Sequence, residues 1–293
     1  MQAAKLATPS SPLAFYETRG GAPGEAGWAK PSTATLVLGH ALGSTHHMWD
    51  RVVPLLPPSA RVVLWEQPGH GASDLLPVAE GGVSVGDIAD ALHAGLTDLG
   101  VLGASDPADL PVVAGLSLGG MVSLALAERY PAALSRLLMF SSGAVLAPSS
   151  AWVERAELVE AGGLASLADA TMGRWFSDGF AEGAGEQWVE ATRRAFLETG
   201  PAGYAQCCLA IAGTDLRADL AKVRVPVELV VGEDDPGMTP EQAVALAAAL
   251  PGAPQLRGLQ LGTTYDCRAR VGTQDDTGLS EHAFGNAIDI MGF

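Results

Sequence analysis

The amino-acid sequence predicts an α/β fold: a mostly parallel β-sheet with helices on both faces and an inserted helical lid. Two observations lead to this prediction. Short apolar runs typical of buried strands alternate with helical runs over most of the chain, which is the pattern of a parallel sheet covered by helices. One long segment, residues 148–215, has helical composition only. A helical block placed between two strands indicates a lid over one edge of the sheet.

The predicted strands share short runs of apolar residues; they are 13–18, 33–39, 61–65, 109–114, 137–140 and 225–232. The predicted core helices share apolar residues at helical spacing; they are 48–56, 85–99, 120–130 and 241–250. The resulting organisation is a first core part over 1–147, the lid over 148–215, a second core part over 216–258 and an atypical tail over 259–293.

The most informative motif is a G-x-S-x-G sequence. Residues 115–119 read Gly-Leu-Ser-Leu-Gly and lie between a predicted strand and a predicted helix. A sharp strand-to-helix turn needs small residues on both sides of the serine, because backbone and Cβ atoms crowd there. The turn also directs the positive end of the helix at a reacting group. We therefore predict Ser117 as a nucleophile; the alternative is a Gly/Ser turn of no catalytic importance.

Acyl transfer also needs an oxyanion hole and a base held by an acid. In enzymes with this elbow, the hole uses the N–H after the nucleophile and one from the loop after an early strand. These groups are predicted to be the N–H groups of Leu118 and Leu42. His40 is expected to shape the loop rather than act as the base. The other histidines of this region are expected to be solvated loop residues; they are His46, His47 and His70.

Further motifs resemble those of the 3-oxoadipate enol-lactonases, which are α/β-hydrolases. They occupy residues 40–44, 47–50, 67–73, 161–165, 174–176, 203–208, 215–220 and 232–240. The resemblance covers roughly residues 13–256 and includes the lid. It implies an α/β-hydrolase fold and hydrolysis of a small anionic enol-lactone in aromatic catabolism, through an acyl-enzyme on Ser117. It also implies that no metal or organic cofactor is needed.

The resemblance also selects other site residues. The family's acid lies three residues past a glycine, here Gly232, which selects Asp235 and leaves Asp234 as the reserve. In the lid, Trp152, Arg174 and Trp175 are the predicted substrate-binding residues. Two roles for Arg174 stay open: it anchors the substrate carboxylate, or it forms a structural ion pair. Most aromatic side chains of the lid are expected to pack a helix against the sheet. One departure is Glu66 and its neighbours, where the family often has Asp and Arg; we expect it to change only the charge of the loop.

The triad base is not where a hydrolase of this type is expected to carry it. The only histidine after Asp235 is His282, which we predict as the third triad member. Residues 280–289 fit the pattern S-x-H-x-x-G-x-A-x-D. This pattern resembles the zinc-binding segment of D-Ala-D-Ala carboxypeptidase-type metallopeptidases and, with residues 265–268, extensin-like C-terminal domains. That resemblance implies metal ligation by His282 and Asp289, but a catalytic zinc usually takes three protein ligands.

Three interpretations of the tail therefore stay open. It is a fragment of another protein that replaces the last strand and helix of the hydrolase, or a segment that docks so that His282 reaches Ser117, or a loose appendage with weak metal affinity. In the first case, the hydrolase body lacks its base. The functions that compete with lactone hydrolysis are a general carboxylesterase and a catalytically impaired binding protein. A metal-dependent peptidase acting on its own is disfavoured.

Charge and composition exclude several classes of partner. The net charge is −16, which disfavours nucleic acid and anionic membranes as partners. The three cysteines, two of them adjacent, do not form a disulfide framework and suit a reducing compartment. The first twelve residues lack the order of a signal peptide. We expect a cytoplasmic protein whose partner is a small anionic lactone or ester.

Overall fold

The computed structural model describes residues 3–19 and 35–251, apart from a few single positions inside the second range. Those positions are Ala79, Ala147, Ser177, Ala184, Glu233, Asp234 and Pro236. The reserve acid Asp234, the predicted base His282 and the predicted tail over 259–293 therefore lie outside the described residues.

A seven-stranded sheet forms the centre of the described chain. Its strands are β1 Ala4–Leu6, β2 Phe15–Arg19, β3 Thr35–Gly39, β4 Arg61–Trp65, β5 Val112–Leu116, β6 Arg136–Phe140 and β7 Val227–Val230. Their order is β1-β2-β4-β3-β5-β6-β7. The pairs β1–β2 and β2–β4 are antiparallel, and every other pair is parallel. The predicted α/β fold with a mostly parallel sheet is confirmed.

The helices follow the strands in alternation until the lid segment, where they follow each other. They are α1 Val85–Asp98, α2 Leu118–Arg129, α3 Ser149–Gly162, α4 Ala165–Trp175, α5 Asp178–Ala181, α6 Glu186–Glu198, α7 Pro201–Ala212 and α8 Pro240–Ala249. The helix α1 begins with a capping box, in which Ser84 and Asp87 satisfy each other's backbone N–H groups. None of the helices in the described part of the chain has the length and apolar character that crossing a bilayer requires.

Two local predictions were wrong. Residues 48–56 do not form an α-helix but belong to two short 3₁₀ turns, His46–Trp49 and Val53–Leu55. Pro54 lies in the second turn, and a proline has no N–H to donate to a continuing helix. The strand β1 was not predicted, because it has three residues and lies exposed at the edge of the sheet, where apolar patterning is weak.

Apolar side chains cover both faces of the sheet. One face packs against α1 and α2 through residues such as Val37, Val63 and Val113, and the other face carries Leu38, Val62 and Leu64 against the 3₁₀ turns. Successive strand residues point to opposite faces, so neighbours such as Val37 and Leu38 are buried in different hydrophobic clusters. Every residue of α2 except Arg129 is buried. A helix surrounded by apolar contacts in this way is a central element of the fold.

The parallel strands bring their carboxyl ends to one edge of the sheet. Gly39 pairs in register with Gly115, and Phe140 pairs with both Leu116 and Val230. The loops that follow β3, β5, β6 and β7 therefore begin side by side. The helices α3 to α7 leave the sheet after β6 and return before β7. In α/β sheets, ligands bind at this edge.

Candidate active site

Ser117 lies in a strained turn between β5 and α2. Its backbone has φ 53° and ψ −117°, a conformation that residues with a Cβ rarely adopt. Two backbone hydrogen bonds hold the turn: Ser117 N–H donates to the carbonyl of Phe140 at 2.9 Å, and Met121 N–H donates to the carbonyl of Ser117 at 3.0 Å. The residue stays partly exposed. The serine is thus presented at the sheet edge by the backbone itself.

Three glycines make room for this turn. A Cβ on Gly115 would lie 2.2 Å from the carbonyl carbon of Gly119, and one on Gly119 would lie 2.5 Å from the carbonyl oxygen of Gly39. A Cβ on Gly120 would lie 2.6 Å from the Cβ of Ser142. Contacts this short leave no space for a side chain, so only glycine fits at these positions. The first turn of α2 is in this way packed directly against the end of β3.

The loop after β3 commits several of its N–H groups, but not that of Leu42. Ala41 N–H donates to the Sδ of Met48 at 3.4 Å, and Ser44 N–H donates to the carbonyl of Ala41 at 3.1 Å. Gly43 N–H donates to His70 Nε2 at 2.9 Å. Within the described part of the chain, Leu42 N–H has no acceptor.

The second predicted donor of the oxyanion hole is Leu118, at the first position of α2. An N–H at that position has no partner inside the helix. Because Gly119 packs against Gly39, the loop that holds Leu42 and the first turn of α2 are neighbours. An oxyanion hole needs two such N–H donors beside the nucleophile, and its assignment to Leu42 and Leu118 stays a prediction.

Two buried histidines fix the loops of this site and remain neutral. His40 Nδ1 donates to the carbonyl of Ala41 at 2.7 Å, and its Nε2 accepts from Gln67 N–H at 3.0 Å. His70 Nδ1 donates to the carbonyl of Pro68 at 2.9 Å, while its Nε2 accepts from Gly43. Burial lowers the pKa of His40 to about 3 and that of His70 to about 4. Both nitrogens of each ring are occupied, so neither histidine is available as a base.

The prediction of solvated loop histidines was wrong for His46 as well as for His70. His46 is buried, and its Nδ1 lies 2.6 Å from Oε1 of Glu66. The ring of Tyr16 stacks on His46 with a centroid separation of 3.9 Å. Only His47 has the exposed side chain that was expected.

Glu66 does more than change the charge of its loop. Its side chain is buried, and its Oε2 accepts from Ala72 N–H at 2.7 Å. Burial acts to raise the pKa of Glu66, but the hydrogen bonds from His46 and Ala72 outweigh it and leave the pKa below its ordinary value. The departure from the family pattern therefore provides a buried hydrogen bond between Glu66 and His46 that ties the loop after β4 to the loop after β3.

Asp235 lies in the turn that follows β7. Its Oδ1 accepts from Gly237 N–H at 2.7 Å and from Met238 N–H at 3.0 Å. The side chain of Met238 packs against Gly143, where a Cβ would lie 3.3 Å away. Ser142, the residue before Gly143, donates its Oγ to the carbonyl of Ser117 at 2.7 Å. The loop after β6 therefore connects the elbow to the turn of the predicted acid.

The described residues do not supply a triad base. They contain five of the six histidines in the sequence, and none of the five has a hydrogen bond to Ser117. His93, the one not yet placed, stacks on Tyr130 at 3.7 Å. His282 thus stays a prediction. No cluster of three or more metal-ligating side chains occurs in the region that the structure describes.

An aromatic cluster joins the lid to residues 40–45, the loop after β3, which we call the oxyanion loop after its predicted role. Phe196 makes edge-to-face contacts with Trp175 at 6.2 Å and with Tyr204 at 5.7 Å between ring centroids. Gly43 has φ 77°, and a Cβ there would lie 2.7 Å from Phe196 and 2.9 Å from Tyr204. The lid therefore rests directly on the residue next to Leu42.

Arginine side chains lie on the far side of Tyr204. Arg155 Nη1 donates to the Tyr204 hydroxyl at 2.8 Å, and the Arg155 guanidinium lies 5.6 Å from the ring centroid of Trp152. Partial burial and the positive charge of Arg155 lower the pKa of Arg174. No carboxylate among the described side chains pairs with Arg174, and both interpretations of this residue stay open.

Sequence reasoning missed three residues of this cluster, Arg155, Phe196 and Tyr204. Tyr204 falls inside a motif that carried the family resemblance, over residues 203–208. The other two gave no signal, because helix periodicity does not say which face of a lid helix meets the site.

Comparison with known proteins agrees with this geometry. Residues 36–262 match a family model described as alpha/beta hydrolase family, and residues 239–293 match one described as extensin-like protein C-terminus. The chain is 32% identical over 207 residues to 3-oxoadipate enol-lactonase 1 of Acinetobacter baylyi, which covers 70% of this chain and 72% of that protein. Both expected resemblances are thereby confirmed, although the second match begins at residue 239, well before the predicted tail.

Two further similarities are informative. The chain is 32% identical over 238 residues to pimeloyl-[acyl-carrier protein] methyl ester esterase of Aromatoleum aromaticum, covering 74% of this chain and 86% of that protein. The crystal structure of the enol-lactonase from Burkholderia xenovorans LB400 matches with a TM-score of 0.71 and 26% identity, over 85% of this chain and 88% of that one. The elbow, the lid-covered sheet edge and these matches lead to one conclusion: the chain belongs to the alpha/beta hydrolase family, a class of ester-hydrolysing enzymes.

Proposed function

We propose that this protein hydrolyses a small anionic enol-lactone, 3-oxoadipate enol-lactone in the first instance, with Ser117 as the nucleophile. The observation that carries the proposal is the strained elbow at Ser117, set beside the uncommitted N–H of Leu42. The lactone is suggested by the names of the relatives, which are 3-oxoadipate enol-lactonases.

The chemistry follows from the arrangement of donors. Ser117 Oγ attacks the lactone carbonyl and passes its proton to a base, while the N–H groups of Leu42 and Leu118 stabilise the oxyanion. Collapse of the intermediate opens the ring, and the released enolate takes up a proton and becomes a ketone. Water then hydrolyses the ester on Ser117. We assign the base to His282 and the acid that orients it to Asp235.

The proposed setting is aromatic catabolism in the cytoplasm, with no metal or organic cofactor. The substrate is a free small molecule, since a net charge of −16 disfavours nucleic acid and anionic membranes. Such a charge also repels an anionic substrate, so the site needs local positive charge to bind one.

A second candidate is a hydrolase-fold binding protein with impaired catalysis. The observation that favours it is the engagement of each described histidine with groups other than Ser117. Loss of one triad member lowers turnover by about 10⁴- to 10⁶-fold and leaves the oxyanion hole in place. Such a protein still binds the anion.

The test is steady-state hydrolysis of 3-oxoadipate enol-lactone by the full chain, beside a panel of neutral esters. Ser117→Ala and His282→Ala are compared with a matched control, His93→Ala, whose ring stacks on Tyr130. We expect fast turnover of the lactone, lost by about 10⁴-fold or more in the first two variants and kept in the control. Faster hydrolysis of the neutral esters indicates a general carboxylesterase. Trace turnover that His282→Ala leaves unchanged indicates the impaired protein.

A further inference from the structure

Two arginines of the lid, Arg155 and Arg174, lack a described carboxylate partner. Several arginines bind a carboxylate within ion-pair distance, among them Arg61 with Glu17, Arg129 with Asp90, Arg136 with Glu228, Arg193 with Asp169 and Arg217 with Asp215. Arg155 and Arg174 lie close enough to repel each other, and neither pairs with a carboxylate of the described residues. In a chain with 33 acidic residues, two neighbouring arginines without a described carboxylate partner leave positive charge available to an anion.

Arg155 is fixed in position before any ligand binds. Its Nη1 donates to the Tyr204 hydroxyl at 2.8 Å, and its guanidinium lies 5.6 Å from the Trp152 ring centroid. Trp152 is held in turn, because its indole N–H donates to the carbonyl of Leu146. Arg155 is partly buried. A guanidinium held in this way uses one donor on the tyrosine and keeps others of its five N–H groups for a ligand.

The guanidinium is separated from the oxyanion loop by a single ring. One edge of Tyr204 would meet a Cβ on Gly43 at 2.9 Å, and the hydroxyl of the same ring binds Arg155. Leu42, the predicted oxyanion donor, precedes Gly43. A ligand that reaches from the oxyanion hole to Arg155 therefore carries its carboxylate a few bonds away from the ester carbonyl.

We propose that Arg155, with Arg174 beside it, binds the free carboxylate of the substrate and makes the enzyme specific for small carboxylate-bearing lactones. Two adjacent cations without a counter-ion are stabilised by an anion placed between them. Arg forms paired hydrogen bonds with a planar carboxylate, which a neutral ester group does not form in the same way. The inference deepens the proposed function, on which it rests, by assigning the recognition of the anion to a lid residue.

A structural role for Arg155 predicts different results. If the residue only ties α3 to α7 through Tyr204, its removal lowers the thermal stability and affects neutral and anionic ligands alike. If it binds the carboxylate, removal affects the anionic ligand alone. Two ligands with the same ring and different charge therefore separate the two roles.

The experiment uses a saturated γ-lactone with an acetate side chain, together with the methyl ester of that acetate. Binding of both probes is measured by calorimetry on Ser117→Ala, alone and combined with Arg155→Gln, Arg155→Lys or Arg174→Gln. Arg194→Gln is the matched control, because Arg194 is an exposed lid arginine on α6. The melting temperature of each variant is recorded in parallel.

We expect Arg155→Gln to weaken binding of the anionic probe by about 30-fold or more, with no change for the methyl ester. Arg155→Lys recovers part of the loss, Arg174→Gln gives a smaller loss, and Arg194→Gln leaves binding unchanged. Equal binding of the two probes, or equal losses for both in Arg155→Gln, overturns the inference. If the original protein shows no Ser117-dependent hydrolysis of the lactone, the proposed function is refuted. The binding measurements still decide whether Arg155 binds the carboxylate.

Discussion

The backbone of Ser117 and that of Ser141 both adopt positive φ, at 53° and 45°. They follow adjacent parallel strands, β5 and β6, and each is held by a hydrogen bond to the next strand: Ser117 N–H to Phe140 and Ser141 N–H to Val230. Strain of this kind costs roughly 1–3 kcal/mol at each residue and persists only where the surrounding structure enforces it. Such strain is typical of functional sites, and here it lies at the edge that carries the predicted site residues Asp235 and Leu42.

The elbow should not tolerate a methyl group at Gly119. We expect Gly119→Ala to lower the free energy of unfolding by about 1–3 kcal/mol and to abolish hydrolysis, because its Cβ would lie 2.5 Å from the carbonyl oxygen of Gly39. Gly173→Ala is the control, since Gly173 lies within α4 with no atom within 4 Å of an added Cβ. That substitution should raise stability by roughly 0.5–1 kcal/mol. Urea denaturation measures both, and equal effects contradict the packing explanation.

What sequence reasoning could predict at this scale depended on how far apart the interacting residues lie. Ser117 and its glycines are within a few positions of each other, so the motif contains the information. His46 meets Glu66 across 20 positions and Gly43 meets His70 across 27. Neither histidine lies in a periodic segment. The two histidines are buried because several loops meet at the sheet edge. The residue pattern of a single loop does not show which other loops it will meet.

At the scale of elements, aromatic packing is one of the contacts that hold the lid on the core. Phe196 of α6 is fully buried between Trp175 and Tyr204. The guanidinium of Arg51, from the loop after the first 3₁₀ turn, also lies 4.7 Å from the ring centroid of Trp188 on α6. The helix α6 therefore touches both the oxyanion loop and the segment before β4.

The lid should loosen when its central aromatic side chain is removed. We expect Phe196→Ala to lower the free energy of unfolding by about 3 kcal/mol or more and to reduce affinity for the lactone, because Gly43 loses its contact. The neighbouring residue provides the control. Leu197 is exposed on the same helix, and Leu197→Ala should change stability by less than about 0.5 kcal/mol. Similar losses from both substitutions argue against an aromatic tie between lid and core.

The strands other than β1, and the helices α1, α2 and α8, were predicted within a few residues of their observed bounds. Residues 61–65 were predicted as a strand and form β4, and 85–99 were predicted as a helix that the structure ends at Asp98. The failure at 48–56 has a local cause in Pro54, and the order of the strands required the observed pairing. Helical composition identified the lid segment, but it did not show which of the lid helices faces the site.

At the scale of the whole molecule, buried ionisable groups set the response to pH. Burial lowers the pKa of His40 and His70, so the unfolded chain binds protons that the folded chain does not, and stability falls as the pH drops below 6.5. Glu128 acts in the opposite direction. Burial and then Asp219 raise its pKa to about 7, against the opposing effect of Lys222, so stability falls as the pH rises from 4.5 to 7.

Glu128→Gln should remove the loss of stability on the alkaline side. The residue is 5% exposed, and its Oε1 has no hydrogen bond from the described residues. We expect the variant to exceed the original protein by up to about 3 kcal/mol at pH 8 and to match it near pH 4, where both side chains are uncharged. The control is Glu160→Gln at an exposed position of α3. Denaturation curves at the two pH values measure the free energy of unfolding of each protein. A gain in that free energy that is the same at both pH values contradicts the titration of Glu128.

The fold and family could be predicted from the sequence because they depend on features repeated along the chain: the alternation of strands and helices, the elbow and the lid motifs. The match of residues 239–293 to an extensin-like C-terminus was also visible in local residue patterns, although its start in the second core part was not. The local motif does not identify the other members of the triad, because the predicted acid and base lie more than 100 positions from Ser117 in the sequence.

The most direct test of Ser117 as the nucleophile of a lactone hydrolase is the mass of the protein quenched during turnover of 3-oxoadipate enol-lactone. A lactone keeps its leaving group attached, so an acyl-enzyme gains the full mass of the substrate. We predict this adduct on the peptide that contains Ser117 in the full chain, and no adduct in Ser117→Ala. Turnover without an adduct, undiminished by Ser117→Ala, contradicts the assignment.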